Sequence, residues 1–404
     1  MAVVAASNPE EVRRAVEGAL YARCALEIVA RGSKRALGRP VDASAKLDVS
    51  GLAGIVDYDP PELVLTARPG TPIAEIDTAL EAAGQMLAFE PPDLGPLLES
   101  EAEQGTLGGV LSANLSGPRR LSAGAARDHC LGLAGVTGRA EIFKAGGRVV
   151  KNVTGYDVAR LLCGAYGTLA VLTEVTVKVV PRPETVRTLV VPGRQPEPAG
   201  ELMRRAMGSA HDVSSAAHLP AGLAADLDVG GLPGGAVTAL RLEGPGPSVQ
   251  ARLDVLVRDL GLPPGDDVLD EAASLAFWRG LRDVAPLRER PDLQVWRIST
   301  GPTDGPLLLQ ALAGLQADVY LMDWAGGLVW LGLPPAADAH APAVRGALEP
   351  LGGHATLIRA DADVRREVPV FQPEPQGVSA LSARVKASFD PNLILNPGRM
   401  VPGR

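Results

Sequence analysis

Apolar and polar positions recur along this chain with two different periods, and the changes from one period to the other outline its elements. Near the amino end, Val12, Val16, Ala19 and Leu20 return at helical spacing. Asn8 stands before them as an N-cap, Pro9 at the first helical position, and Glu10 and Glu11 in an acidic first turn, so a helix is predicted there. Leu63, Val64, Leu65 and Thr66 read as a strand. Residues 71–83 read as a helix, with Thr71 as cap, Pro72 at the first position, and Ile73, Ile76 and Leu80 on one face. Residues 172–180 alternate at period two, which predicts a half-buried strand.

A proline-rich seam at 192–198 follows a strand-like run at 185–191 and precedes a helical run at 200–207. A domain boundary is expected at that seam. Beyond it, strands are predicted at 236–242 and 293–299 and helices at 248–260 and 305–315. A hairpin follows at 318–323 and 328–333 around Gly326-Gly327, then a helix at 341–351 and a strand at 354–358. Strand–helix–strand–strand–helix–strand is the ferredoxin-like order. A second proline-rich stretch, 369–375, precedes the carboxy-terminal segment. No repeat of fixed period is visible. The expected division is therefore 1–191, 192–375 and 376–404.

Composition narrows the chemistry. The chain has 404 residues, a net charge of -8 and 3% aromatic residues, so neither an electrostatic footprint nor stacking platforms for nucleic acid are expected. Three dispersed cysteines, Cys24, Cys130 and Cys163, make no disulfide framework and are too few for a four-cysteine iron–sulfur cluster. No apolar run reaches membrane-spanning length and the amino end does not read as a signal peptide, so a cytoplasmic or peripheral protein is expected. The Rossmann G-x-G-x-x-G, the P-loop and H-E-x-x-H are all missing.

Three glycine-rich stretches carry the candidate chemistry. In the first, an apolar run ends in Arg31-Gly32-Ser33-Lys34-Arg35, whose backbone N–H groups and cations suit a pyrophosphate. In the second, Thr106-Leu107-Gly108-Gly109 is followed by Asn114, Ser116 and Gly117. There the backbone can approach a ligand closely and the side chains offer neutral hydrogen-bonding groups. The third runs from Gly146-Gly147-Arg148 through Gly155-Tyr156-Asp157 to Gly167-Thr168-Leu169-Ala170-Val171-Leu172.

The order R-G-S-K, T-L-G-G, G-G-R-V-V-K-N-V-T-G-Y-D, G-T-L-A-V-L-T-E-V resembles the FAD-binding domain of the vanillyl-alcohol oxidase and D-lactate dehydrogenase superfamily. Within it, the chain is similar to the E-subunit family of bacterial glycolate oxidases (glycolate dehydrogenases). The closing Lys386-Ala387-Ser388-Phe389-Asp390-Pro391 and Asn396-Pro397-Gly398-Arg399-Met400 resemble the end of the same family. The resemblance is dense over 30–183 and at this tail.

This resemblance implies an α+β fold: a PCMH-type two-subdomain FAD-binding domain followed by a ferredoxin-like α+β cap. It implies that Arg31, Gly32, Ser33 and Lys34, with Thr106, Gly108 and Gly109, hold the FAD pyrophosphate. Ser116, Gly117, Gly124 and Asp128 would line the ribityl chain and flavin, Ala170 and Val171 would contact the adenine half, and Asn396 would return towards the flavin. The first loop is shorter than relatives usually have, and Lys34 and Arg35 are expected to compensate electrostatically. Neither loop carries the His or Cys that tethers flavin in some relatives, so FAD is expected to be non-covalent. The histidine cluster of the D-lactate dehydrogenase branch is missing. No metal site is expected, and His354 is left as the sole candidate catalytic residue.

The implied activity is oxidation of glycolate, or another small 2-hydroxy acid, to the oxo acid. The implied partners are a larger FAD-binding catalytic subunit and an iron–sulfur subunit, through which the protein could sit peripherally at the inner membrane. The alternative is a non-catalytic assembly or electron-relay subunit of the same complex.

Overall fold

The computed structural model describes residues 2–148, 156–263 and 267–404. Residues 149–155, the centre of the G-G-R-V-V-K-N-V-T-G-Y-D motif, lie outside the described residues. The chain divides into two compact units. One comprises Met1–Ser116, Gly124–Pro181 and Pro373–Arg404; the other comprises Gly117–Ala123 and Arg182–Gln372.

The first unit opens with β1 (Ala2–Ala5), β2 (Leu26–Val29) and β3 (Ala45–Asp48), which form a parallel sheet in the order β1-β3-β2. The helix Pro9–Ala22 forms as its caps dictate, with Asn8 Oδ1 accepting the Glu11 N–H at 3.0 Å. Its apolar stripe, Val12, Val16 and Ala19, is buried in one cluster with Leu26 and Leu47. Full burial of a side chain such as Val16 or Leu47 contributes about 1.5–3 kcal/mol.

Next come β4 (Ile55–Asp59), β5 (Val64–Ala67), β6 (Gln85–Met86), β7 (Cys130–Thr137), β8 (Ile142–Gly146), β9 (Ala170–Lys178) and β10 (Val180–Pro181). Five of these make an antiparallel sheet in the order β4-β5-β9-β7-β8, while β6 pairs with β10. Two local expectations are corrected here. The helix after β5 is Ile73–Ala82, and Thr71 does not cap it. Its hydroxyl instead donates to the Arg68 carbonyl at 2.7 Å and accepts from the Gly54 N–H. And β9 is not half-buried: seven of its nine residues are buried, because β5 and β7 flank it at the centre of the sheet. Its threonines tolerate this because they are paired, as in the 2.9 Å bond between Thr176 Oγ1 and Thr66 Oγ1.

The closing segment belongs to this first unit. Within the helix Gln376–Phe389, Lys386 is the one buried residue. Its ammonium donates to the Thr168 carbonyl at 2.7 Å, the Leu395 carbonyl at 3.1 Å and the Asp390 carboxylate at 2.7 Å. Asp390, fully buried, also accepts the N–H groups of Ile394 and Leu395.

The second unit contains β11 (Thr185–Pro192), β12 (Val213–Leu219), β13 (Val237–Gly244), β14 (Val268–Leu269), β15 (Gln294–Ser299), β16 (Val319–Asp323), β17 (Leu328–Leu333) and β18 (His354–Arg359). Among the described residues they form one eight-stranded sheet in the order β14-β11-β13-β12-β16-β17-β15-β18. This is two ferredoxin-like β-α-β-β-α-β modules joined through their second strands. The helices Pro196–Met207 and Gly246–Asp259 serve the first module, and Gly305–Ala311 and Ala341–Leu348 the second. The unit begins before the proline-rich seam, because β11 pairs with β13 along its whole length, Thr185↔Gly244 to Pro192↔Val237. The seam's own prolines open the helix Pro196–Met207, where a missing N–H costs nothing.

Replacing Lys386 by Met should destabilise the first unit by about 3–5 kcal/mol, since it strands a buried carboxylate. Urea denaturation followed by near-ultraviolet circular dichroism measures the loss.

Candidate functional site

Four separate stretches of the first unit line one cleft: the loop after β2, the turn that opens the helix Leu107–Ser112, the start of β9, and the closing segment at Asn396 and Arg399. Arg31, Gly32, Ser33, Lys34, Thr106, Gly108, Gly109, Ala170, Val171 and Asn396 all reach its wall. Residues far apart in sequence are thus brought together at one cleft.

Two hydrogen bonds join the loop to the turn. Ser33 Oγ donates to the Gln104 carbonyl at 3.2 Å, and the Arg31 guanidinium to Gln104 Oε1 at 3.3 Å. Gln104, just ahead of the T-L-G-G motif, was therefore a site residue that sequence reasoning passed over; only its adjacency to the motif could have marked it. Thr106 caps the helix Leu107–Ser112, its Oγ1 accepting the Gly109 N–H at 3.3 Å. Gly108 admits no side chain, because a Cβ there would stand 2.9 Å from the Pro69 carbonyl oxygen and closer still to its ring.

The two cations of the loop part company. Arg35 turns to the buried carboxylate of Glu27 at 2.6 Å, and Arg399 approaches the same carboxylate at 3.6 Å. Arg35 lines the cleft as well, with its guanidinium engaged by Glu27. Lys34 runs along the glycine turn, with its ammonium 3.4 Å from Ser33 Oγ; side chains added at Gly105 or Gly109 would meet it at 3.5 and 3.8 Å. Burial pulls Lys34 down to about 8, with Asp93 opposing the shift. A cation buried beside a side-chain-free turn is a site prepared for an anion.

Asn396 reaches the wall with its side chain already engaged. Oδ1 accepts the Ile28 N–H at 2.8 Å and Nδ2 donates to the Tyr166 carbonyl at 2.9 Å. It clips β2 to the turn before β9, so its effect on a ligand is exerted through the backbone it holds. Ser116, Gly124 and Asp128 do not line the cleft. Ser116 Oγ accepts the Ala126 N–H, and Asp128 Oδ2 accepts the Ala125 N–H, each at 2.9 Å. Gly124 has φ +90, and a Cβ there would press on Asp128. Gly117 lies in the second unit, where its carbonyl accepts the Trp324 indole N–H at 3.1 Å. His354 is also in the second unit, exposed at the start of β18. Although the residue as a whole is exposed, partial desolvation of its ring, then Arg297 and Arg120, hold it below the usual imidazole range. Among the described residues, no group of three His, Cys, Asp or Glu is placed to hold a metal, and no helix is long and apolar enough to cross a membrane.

Residues 1–146 match the family described as FAD binding domain. Glycolate oxidase subunit GlcE of Escherichia coli (strain K12) is 36% identical over 391 residues, covering 95% of this chain and 95% of that protein. Glycolate oxidase subunit GlcD of Bacillus subtilis (strain 168) is 28% identical, covering 99% of this chain and 88% of that protein. Among solved structures, p-cresol methylhydroxylase superposes with a TM-score of 0.72 at 14% identity, covering 99% of this chain and 88% of that chain. Such distant likeness speaks for the fold alone, and it is the PCMH-type FAD-binding fold.

The Lys34 environment carries a stability signature of its own. A lysine whose folded pKa is depressed opposes folding while it is charged in both states, that is below pH 8. The opposition fades as pH climbs from 8 to its unfolded value near 10.5. Lys34→Met should therefore stabilise the cofactor-free protein at pH 7, by at most about 3 kcal/mol. Denaturation curves at pH 7 and pH 10.5 should show the gain at the first and little at the second.

Proposed function

The chain belongs to the GlcE family of FAD-linked oxidoreductases, and from that premise we propose that it is the FAD-bearing subunit of a complex oxidising glycolate to glyoxylate. FAD is its cofactor; the substrate, the residues that hold FAD and the partner subunits are the proposal. The observation that carries it is the convergence of the buried Lys34 ammonium with the Gly105–Gly109 backbone at one cleft.

That donor set fits the cofactor. The Lys34 ammonium neutralises the pyrophosphate, and Arg31 and Ser33, tied to Gln104, hold the loop in register against the turn. Gly108 keeps the backbone close, and Ala170 and Val171 give an apolar wall for the adenine half. Bound FAD supplies the two-electron acceptor for the hydride on the α-carbon of a 2-hydroxy acid. The tail supports the site from behind, because Arg399 donates to the carbonyls of Arg35 and Leu37 and fixes the loop. FAD is held non-covalently, so acid precipitation releases it. A larger FAD-binding subunit and an iron–sulfur subunit complete the complex and carry the electrons onward. Assembly or electron relay without turnover is the second reading. His354 in the cap favours it, since burial and two neighbouring arginines hold its ring below the usual imidazole range and so make it a weak base.

Two measurements test this. Lys34→Ala should weaken FAD binding by about 1–3 kcal/mol, the range for charge-assisted hydrogen bonds, while Arg35→Ala should alter it less. In the wild type, affinity should be flat below pH 8 and fall by up to about tenfold per unit above it, as the cofactor-free protein loses the Lys34 proton. Lys34→Arg should remove that pH dependence. Anaerobic bleaching of the purified chain's flavin by glycolate supports turnover by this subunit; an unchanged spectrum supports the relay reading.

A further inference from the structure

Two of the three cysteines, dispersed in sequence, meet in the first unit. Cys130 opens β7 directly after the short helix Ala126–His129, and Cys163 ends the helix Val158–Leu162. Both are unbridged thiols, and they are hydrogen-bonded to one another. Cys130 Sγ also lies 3.8 Å from the Gly132 carbonyl oxygen, which gives the S–H groups one direction, from Cys163 through Cys130 to that carbonyl. Cys24 stands apart from the pair, packed against the cluster of Val12, Val16 and Leu47.

The two sulfurs are unlike. The hydrogen bond from Cys163 holds the Cys130 thiol below the usual thiol range, with burial opposing it; the same bond, and burial, push Cys163 up. A sulfur with thiolate character beside a protonated one suits a reaction in which the first is oxidised and the second resolves it. Access comes from the Cys163 side. Cys163 is half-buried and lines a cavity with Leu161, Leu169, Leu381 and Met400, and the exposure of Leu161 and Leu381 opens that cavity to solvent.

Both cysteines stand on segments that brace the helix Leu107–Ser112, which gives Gly108, Gly109 and Ser112 to the wall of the cleft. On the Cys130 side, the Ala126 N–H donates to Ser116 Oγ at 2.9 Å and the Arg127 N–H to Asn114 Oδ1 at 3.1 Å, just past the end of that helix. On the Cys163 side, the Gly164 N–H donates to the Leu111 carbonyl at 3.0 Å and the Tyr166 N–H to the Ser112 carbonyl at 2.8 Å. Tyr166 and Gly167 themselves reach the cleft wall, and the Tyr166 carbonyl accepts the Asn396 amide. A covalent S–S bond is shorter than a hydrogen-bonded sulfur contact, so closing it draws these two bracing segments together.

We propose that Cys130 and Cys163 are a redox-active dithiol, which hydrogen peroxide oxidises to a disulfide that weakens the hold of the cleft on FAD. One sulfur attacks a peroxide oxygen, the O–O bond breaks, and a sulfenic acid and water result. The second sulfur then attacks the first, the S–O bond breaks, and a second water leaves. Two S–H bonds and one O–O bond are lost, one S–S bond and two waters are gained, and two electrons pass from the sulfur pair to peroxide. Linkage is reciprocal: a disulfide that weakens FAD binding is disfavoured by bound FAD by the same factor. Formation of the disulfide stands on the sulfur contact and its access; the effect on FAD rests on the reading of the cleft given above.

The test treats the purified full chain with limiting hydrogen peroxide, then counts thiols after unfolding and maps the peptides. The count should fall from three to one, with Cys130 joined to Cys163 and Cys24 still free. The oxidised wild type should bind FAD about fivefold or more weakly, the low end of typical coupling between sites, and dithiothreitol should restore the affinity. In a dithiothreitol redox buffer, saturating FAD should move the balance towards the dithiol by that same factor. The Cys130→Ala/Cys163→Ala double variant should keep its FAD affinity through the peroxide treatment; if it does not fold, the wild-type peptide map and affinities decide. Oxidation of single cysteines without a joined Cys130–Cys163 peptide overturns the proposal. A joined pair with unaltered FAD affinity overturns the control of the cleft. A chain that binds no FAD in either state counts against the proposed function alone, and the peptide map still decides the disulfide.

Discussion

The carboxylate of Asp390 is the contact on which the first unit's geometry depends. It is fully buried and gathers the Lys386 ammonium and two backbone N–H groups. Lys386 spends its other two protons on the carbonyls of Thr168 and Leu395. A buried ion pair is a poor source of net stability, but it is intolerant of misplacement, because any other path of the tail would leave charges without partners. The tail is thereby set beside β2. The Leu26 N–H bonds to the Ile394 carbonyl, Asn396 clips Ile28 to Tyr166, and Arg399 holds the carbonyls of the loop from beneath. The loop that carries Lys34 is positioned by residues from the far end of the chain.

That positioning leaves a buried cation on the wall of the cleft. Lys34 sits where burial disfavours its charge, so the protein carries a local instability that an anion bound beside it would relieve. Arg35, one residue on, is neutralised by Glu27 and contributes to architecture. Adjacent cations in one loop thus have different surroundings, decided by which of them finds a carboxylate.

The cap shows how a repeated architecture survives without a repeated sequence. Its two modules share strand order and helix placement, yet only residues 293–358 read plainly as a ferredoxin-like pattern. The first module hid because β12 is built from Val213-Ser-Ser-Ala-Ala-His-Leu219, whose small residues carry little strand signal, and because β14 has only two residues. Joining the modules edge to edge buries β12 and β16 and leaves one continuous face on which Arg297 and Trp330 stand together.

The sequence by itself determined the helix caps, the hairpin at Gly326-Gly327, the glycine motifs and, through their order, the FAD-binding fold. These are local matters: capping, turn chemistry and side-chain-free backbone are written within a few residues. Tertiary structure alone decided the rest. It paired Arg35 with Glu27 and buried Lys34 beside the glycine turn, engaged Asn396 in holding backbone, buried both faces of a strand whose pattern promised one, and carried β11 into the cap sheet. It also brought Arg120 and Arg297, with 176 intervening residues, onto one indole. Each of these depends on which distant group lies within a few ångströms. Periodicity and motif carry no record of such a distance, because it is set only when the sheets close and the tail returns.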